Sequence, residues 1–372
     1  MSIGRKISWI GLIVAAAGIK ILALFPAVVE RYYSLGFYPV VSRLQRFLFG
    51  WIPFSIGDIL YLAIAVILLY RLVRLIRRLV KRQAGKGWFL LFLRQTVFVL
   101  LWVYVLFNVL WGLNYDRLGI ADQLQLQVRP YSTDELSGLV GLIVEELNRS
   151  YPRDSLHRAD FAHTRVLRAG AIHAYYNLAR SDPRFAYRTP SVKSSLFSYP
   201  GLYIGFGGYY NPFSGEAQVN TDDPLIGQPF TTCHEMGHQL GYAKENEANF
   251  IGFLAATSSP DPVFAYSVYL DLYLFAAREL YFRDSVLAKK YRDLLAPGVR
   301  EDFHALQRFN RRYANPLEPV IWKIYGRYLR ANRQPHGIVT YSEVVAWLIA
   351  YAKKNGEDSI RARARVPAPP YG

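Results

Sequence analysis

The chain has 372 residues, is 52% hydrophobic and 19% charged, and carries a formal net charge of +16. This composition excludes a disordered chain, and a single cysteine, Cys233, excludes an intramolecular disulfide framework and a cysteine-based structural zinc site. Fourteen Lys and Arg against two acids, Glu30 and Asp58, fall within residues 1–113, so most of the excess charge brackets apolar segments and gives no reason to expect a nucleic-acid partner.

In chain order, three apolar segments come first, each near the roughly 20 residues that cross a bilayer core. The first runs from about Ile7 to Val29 behind Arg5 and Lys6. It is too long for a signal-peptide core and lacks a small-residue cleavage site, so a retained anchor is expected. Lys20 in its middle should snorkel, pack against neighbouring helices or meet Asp58. The second segment, about Ile56 to Val73, has a short uninterrupted apolar part and uses Arg71 and Arg74 as snorkelling residues. The third runs from about Phe89 to Leu113 and ends among interfacial aromatics, Trp111 and Tyr115. Between the second and third lie Arg71, Arg74, Arg77, Arg78, Lys81, Arg82 and Lys86 without an acid, which marks that loop as cytoplasmic. Three crossings from an inside N-terminus then put everything after Asn114 outside the cytoplasm, in a multi-pass cell-membrane protein.

Residues 114–355 read as one domain, and 356–372, ending in Arg-Ala and Pro-Ala repeats, as a disordered tail. Ser132-Thr133-Asp134-Glu135 is a capping box that should open a helix through Leu147, and another helix should run from about Ala159 to Ala179. Between Tyr199 and Asp223, Leu202 to Phe206 and Ala217 to Asn220 read as strands or a hairpin. Asp222 and Asp223 before Pro224 suit a turn. Helices should return after Gln228, over Phe264 to Phe282, Ser285 to Leu295, Glu301 to Asn310 and Ser342 to Lys353. The expected fold is three N-terminal transmembrane helices followed by a mainly helical α+β domain with a small sheet.

The residues that carry chemistry are His234-Glu235-Met236-Gly237-His238. On a helix, histidines at i and i+4 point the same way, so both imidazoles can converge on one Zn²⁺ while Glu235 lies beside them to take a proton from an attacking water. Pro229 suits the first turn of such a helix and Gly241 its end. A catalytic zinc site needs a third protein ligand and an open position. Glu245 on the next helix is a candidate, with Asn249 one turn on to support a ligating imidazole and Glu247 as the alternative ligand. Cys233 reads as a small buried residue.

His-Glu-x-x-His followed by Glu-x-x-x-Asn is similar to the gluzincin class of zinc metallopeptidases. That likeness implies a zincin-like fold, Glu245 as third ligand, and Asn249 in a place often held by Asp. More narrowly, Trp111 to Tyr115, Gly208 to Phe213, Glu216 to Asn220, His234 to Leu254, and Tyr328-Leu329-Arg330 with Asn332 resemble an uncharacterised bacterial family of three-crossing membrane proteins with a peptidase-like domain, over about residues 1 to 355. In zinc peptidases of this class the substrate lies along an edge strand just before the motif helix, which implies Ala217, Gln218 and Val219 as substrate-binding residues.

The expected function is therefore a membrane-anchored, extracytoplasmic zinc metallopeptidase, with one Zn²⁺ per chain held by His234, His238 and Glu245 and with Glu235 as general base. Its expected partners are a peptide or protein substrate and the lipid bilayer. The alternative is a non-catalytic membrane sensor or scaffold that uses the same domain for ligand or partner binding. Retention of Glu235 weighs against it, since metal binding alone does not require that carboxylate.

Overall fold

In a computed structural model of the chain, residues 3–83, 85–337 and 343–363 are described. The chain is mostly helical with one three-stranded sheet. It divides into two compact units, Met1–Leu118 with Asn211–Glu216, and Gly119–Tyr210 with Ala217–Gly372. The first unit thus extends past residue 113 and takes in a turn from far along the chain.

In the first unit, α1 (Ile3–Leu22) ends well before Val29. A new helical stretch, α2 (Pro26–Phe49), leaves it at a 102° bend and winds as a π-helix over Val29–Phe37. The expected straight crossing from Ile7 to Val29 is therefore broken, and Pro26 explains where: it has no N–H to donate, and its ring clashes with the carbonyl four residues back. Two further helices, α3 (Ile56–Val80) and α4 (Lys86–Leu110), are each long and apolar enough to cross a membrane, and the bent pair makes a third if it counts as one span. Helix α3 runs past the expected end at Val73 because Arg71, Arg77 and Arg78 do not interrupt helical spacing. Arg71 lies over the Phe92 ring and Arg78 over Trp88, joining the two long helices. Lys20 sits 5.6 Å from the centre of the Tyr104 ring.

Two buried carboxylates organise this unit. Glu30 receives a two-pronged contact from Arg117, Nε and one terminal nitrogen each at 2.7 Å. Glu216 sits at the N-terminus of α3, where it accepts from the backbone N–H groups of Ile56 (3.2 Å) and Gly57 (2.7 Å) and from the Ser214 hydroxyl (2.8 Å). A helix start carries unpaired N–H groups and a partial positive charge, so a carboxylate there answers both. Gly57 allows the approach, since a Cβ would stand 2.4 Å from the Asn211 side-chain amide.

In the second unit, α5 (Thr133–Ser150) opens with the expected capping box: Ser132 Oγ accepts from Glu135 N at 3.1 Å, and the Glu135 carboxylate accepts from Ser132 N at 2.7 Å. Leu136, Leu139, Val140, Ile143 and Leu147 are all buried in the main core. Helix α6 (Thr164–Ser181) follows. The sheet contains β1 (Val192–Ser194), β2 (Gly208–Asn211) and β3 (Glu216–Val219), in the order β1-β3-β2. Strands β1 and β3 run parallel, with Val192 opposite Ala217 and Ser194 opposite Val219.

Two strand expectations need correction. Leu202 to Phe206 is not a strand: Ser198–Leu202 is a helical turn, and Gly205 has a φ of +71° that no regular strand accommodates. Ala217, Gln218 and Val219 form the middle strand, not an edge. Ala217 N donates to Ser191 O at 3.0 Å and Ser195 N to Val219 O at 2.9 Å on one side, and β2 pairs on the other. A strand paired on both sides has no backbone groups left for a substrate, so these three residues are core.

The longer helices that follow are α7 (Gln228–Gln239), α8 (Glu245–Thr257), α9 (Pro262–Arg283), α10 (Ser285–Asp293), α11 (Pro297–Tyr313), α12 (Glu318–Ala331) and α13 (Val344–Asn355). Helix α12 has no counterpart among the sequence expectations. The sequence predicts an irregular tail from residue 356, yet Glu357–Ile360 forms a 3₁₀ turn with Ile360 buried, and Arg363 N donates to Thr257 O at 3.0 Å. Ser342 and residues 364–372 lie outside the described residues.

Removing the Glu216 carboxylate orphans two buried N–H groups at the head of α3. Glu216→Ala is expected to cost about 2–3 kcal/mol, seen as a lowered thermal unfolding midpoint of the detergent-solubilised chain, with Glu216→Gln recovering part of the loss. An unchanged midpoint in Glu216→Ala would remove the capping role.

Candidate metal centre

The site is built where α7 crosses α8. Pro229 occupies the first turn of α7, and Gly241, at φ +87°, turns the chain after its end, so the short loop 240–244 leads straight into α8. All residues of α8 are buried. The two helices approach closely because Gly252 faces the backbone of His234, where a Cβ would come within 3.2 Å of both His234 N and Cα. At Gly237 a Cβ would make ordinary contact with Ala248, at 3.6 Å. This close approach lets a side chain as short as glutamate span from α8 to the histidines.

His234 and His238 point to one side, with ring centres 4.8 Å apart. Glu245 Oε2 lies 3.2 Å from His234 Nε2 and 3.6 Å from His238 Nε2. One donor atom from each of the three buried residues falls within 4.8 Å of the others, so the group could hold a metal ion. Metal–ligand distances near 2.0 Å in a tetrahedron place donors about 3.3 Å apart, close to the two measured separations. Two imidazoles and a carboxylate suit zinc better than calcium or magnesium, which favour all-oxygen shells.

The surroundings fix the ligands. Nδ1 of His238 lies 2.7 Å from the Tyr242 carbonyl oxygen, which orients Nε2 towards Glu245. The Tyr325 hydroxyl, from α12, donates to Glu245 Oε1 at 2.7 Å, leaving Oε2 for the histidines. Burial alone would raise the Glu245 carboxyl, but the two imidazoles override it and hold it far below the usual range. Burial would lower the His238 pKa, yet its bond to Glu245 wins and raises it to about 9. Both shifts belong to the metal-free cluster.

Glu235 is buried beside the cluster, with Oε2 lacking a hydrogen-bond partner among the described residues. Burial lifts its carboxyl to about 7, with the two histidines opposing. Its Cγ and Oε1 lie against Gly208, where a Cβ would stand 2.8 Å away. Strand β2 therefore starts directly over this carboxylate, and β2, unlike β3, is an edge of the sheet.

Among the other expected residues, Glu247 does not join the histidines. It is buried elsewhere, paired with Lys244 at 3.5 Å and lying under Gly119. Asn249 is buried one turn after Glu245, and the Tyr242 carbonyl stands at Nδ1 of His238. Cys233 is fully buried, its thiol pushed up by that burial, and its carbonyl accepts from the Tyr175 hydroxyl at 2.6 Å. Sequence reasoning did not single out Tyr325 or Asp271, a carboxyl on α9 that burial raises to about 6 against the opposing His234 imidazole. Only chain crossing reveals them, since Tyr325 is 80 residues from Glu245.

A family model described as "Protein of unknown function (DUF3810)" matches residues 33–349, which include all of α7, α8 and α12. No curated protein and no solved structure matches the chain.

Removing the phenol that positions Glu245 is expected to weaken zinc binding about tenfold in Tyr325→Phe, measured by chelator competition, with the helical circular dichroism unchanged. Equal zinc affinity in the variant and the wild type would show that the hydroxyl does not position the ligand. Zinc takes neutral imidazole, whereas His238 without metal keeps its proton up to about pH 9. Zinc affinity should therefore rise with pH between 6 and 9, by up to about tenfold per unit for one displaced proton, and flatten above that range. A flat profile would show that no such proton is displaced.

Proposed function

The chain belongs to the DUF3810 family of proteins of unknown function, and from the buried cluster of His234, His238 and Glu245 beside Glu235 we propose that it is a membrane-anchored zinc metallopeptidase. The observation that carries this reading is the convergence of two histidines and a glutamate within zinc-ligand spacing, next to a carboxylate whose Oε2 has no hydrogen-bond partner among the described residues. A cluster serving structure alone would have no need of Glu235, which costs free energy to bury.

His234, His238 and Glu245 would hold the ion, one per chain, in a zincin-like arrangement. Bound zinc supplies Lewis acidity, lowering the pKa of water and polarising a carbonyl. Glu235 takes the proton of the attacking water and delivers it to the leaving amine, for which its raised pKa suits both directions. Tyr325 keeps Glu245 oriented from behind, and Tyr242 does the same for His238. Strand β2 is an edge of the sheet and begins at Gly208 against Glu235, so an extended peptide following that edge would bring its backbone to the base. Peptides and proteins are the substrate class this edge fits.

The basic run from Arg71 to Lys86 supports a cytoplasmic α3–α4 turn. With either two or three spans, that turn puts residues after α4 outside the cytoplasm. With the bent pair as a broken span, the N-terminus is cytoplasmic. Reporter fusions after Lys86 and after Tyr115 should give opposite sides, and the same side for both would refute this orientation.

The test of chemistry is metal analysis and peptide-library cleavage by the purified chain and Glu235→Gln. The expected result is about one zinc per chain in both and a loss of roughly a hundredfold or more in cleavage by the variant. Zinc in neither, or equal cleavage by both, defeats the peptidase reading. Zinc in both with no cleavage by the wild type would favour the sensor or scaffold.

A further inference from the structure

Helix α12 faces two ways. Its inner face presents Trp322, Tyr325, Gly326 and Leu329 to the protein, and Tyr325 reaches Glu245 there. Its outer face is apolar too. Leu317, Val320, Ile324 and Tyr328 recur at spacings of three and four along one stripe, and each is exposed, by 68%, 54%, 61% and 40%. Tyr199 and Tyr203 extend this patch: they are likewise exposed, the Tyr203 carbonyl accepts from the Asn315 side chain at 2.6 Å, and the Tyr203 ring packs on Tyr313.

Beside the stripe runs a basic flank. Lys323, Arg327 and Arg330 follow one edge of the same helix and all are exposed. From Arg308 to Arg333 there are seven Lys and Arg against one acid, Glu318, while the rest of residues 114–372 is slightly acidic. An aliphatic stripe, exposed tyrosines and a row of cations on one helix are the three features of a helix that lies in a bilayer interface. A second copy of the chain fits poorly, because pairing this face with itself would bring two rows of like charge together.

We propose that the outer face of α12, with Tyr199 and Tyr203, docks on an anionic lipid surface. The aliphatic side chains enter the headgroup boundary, the tyrosines sit at its level, and Lys323, Arg327 and Arg330 meet lipid phosphates. The inner face of the same helix carries Tyr325, so docking holds the histidine and glutamate cluster about one helix diameter, roughly 10 Å, from the lipid. The docking does not depend on the cluster being catalytic.

The test uses the full chain in lipid nanodiscs, with an environment-sensitive fluorophore attached through Ile324→Cys or, should that variant not fold, Val320→Cys; the native Cys233 is buried. Discs are made of phosphatidylcholine alone or with phosphatidylglycerol, with and without a nitroxide on a shallow acyl position. The expected result is blue-shifted emission that shallow nitroxides quench in anionic discs, with quenching at least about twofold weaker in neutral discs or after Lys323→Glu, Arg327→Glu and Arg330→Glu together. Water-like, unquenched emission in anionic discs overturns the proposal. So does blue-shifted emission that lipid nitroxides fail to quench, because protein would then cover the face.

Discussion

Everything at the candidate centre depends on how closely α7 and α8 can approach. Gly252 lies against the backbone of His234 at a distance where a methyl group would already be tight, and Gly237 meets Ala248 one step along the crossing. Helices normally pack at 8–10 Å, with side chains setting the separation. With no side chain at Gly252, Glu245 comes within 3.2 Å of one imidazole and 3.6 Å of the other. Once the backbones are set, the ligands have little freedom left: the Tyr242 carbonyl holds His238, the Tyr325 hydroxyl holds Glu245, and the complete burial of α8 keeps all of them from relaxing outward.

Four glutamates illustrate how environment assigns different work to the same side chain. Glu216 is a cap, held by backbone N–H groups and two serines at the head of a long apolar helix. Glu247 is buried against Lys244 and a glycine. Glu245 is charged because two imidazoles and a phenol surround it. Glu235 lies beside the histidines with Oε2 unpartnered among the described residues, and burial raises its pKa. Burial costs a carboxylate free energy in every case, and the neighbours of each glutamate decide how much of that cost is offset.

Several features were legible because they depend on near neighbours in the chain. The capping box at Ser132, the i and i+4 placement of His234 and His238, and the glycine stop at Gly241 are local patterns, and each has a counterpart in the structure. The two long apolar helices are equally local, although Pro26 broke the expected first span and the arginines after Tyr70 prolonged the second. Helix α12 was hidden by Pro316 and Pro319 and by an aromatic-rich composition. In fact Pro319 falls in the first turn, the one place in a helix where proline costs nothing.

The order of the strands could not be read from Glu216 to Asn220. Alternation marks a strand but carries no information about which neighbours flank it, so a central strand was taken for an edge. The sequence by itself determined the apolar helices, the paired histidines with their adjacent carboxylate, and the lone buried cysteine, since each follows from composition or from residues within two helical turns. Tertiary structure alone decided that Glu245 rather than Glu247 meets the histidines, that Tyr325 stands behind it, and that β2 is the edge strand beside Glu235. The physical reason is the same in all three: they are set by the distance between backbones far apart in the chain, as at the α7–α8 crossing, where Gly252 permits the close approach.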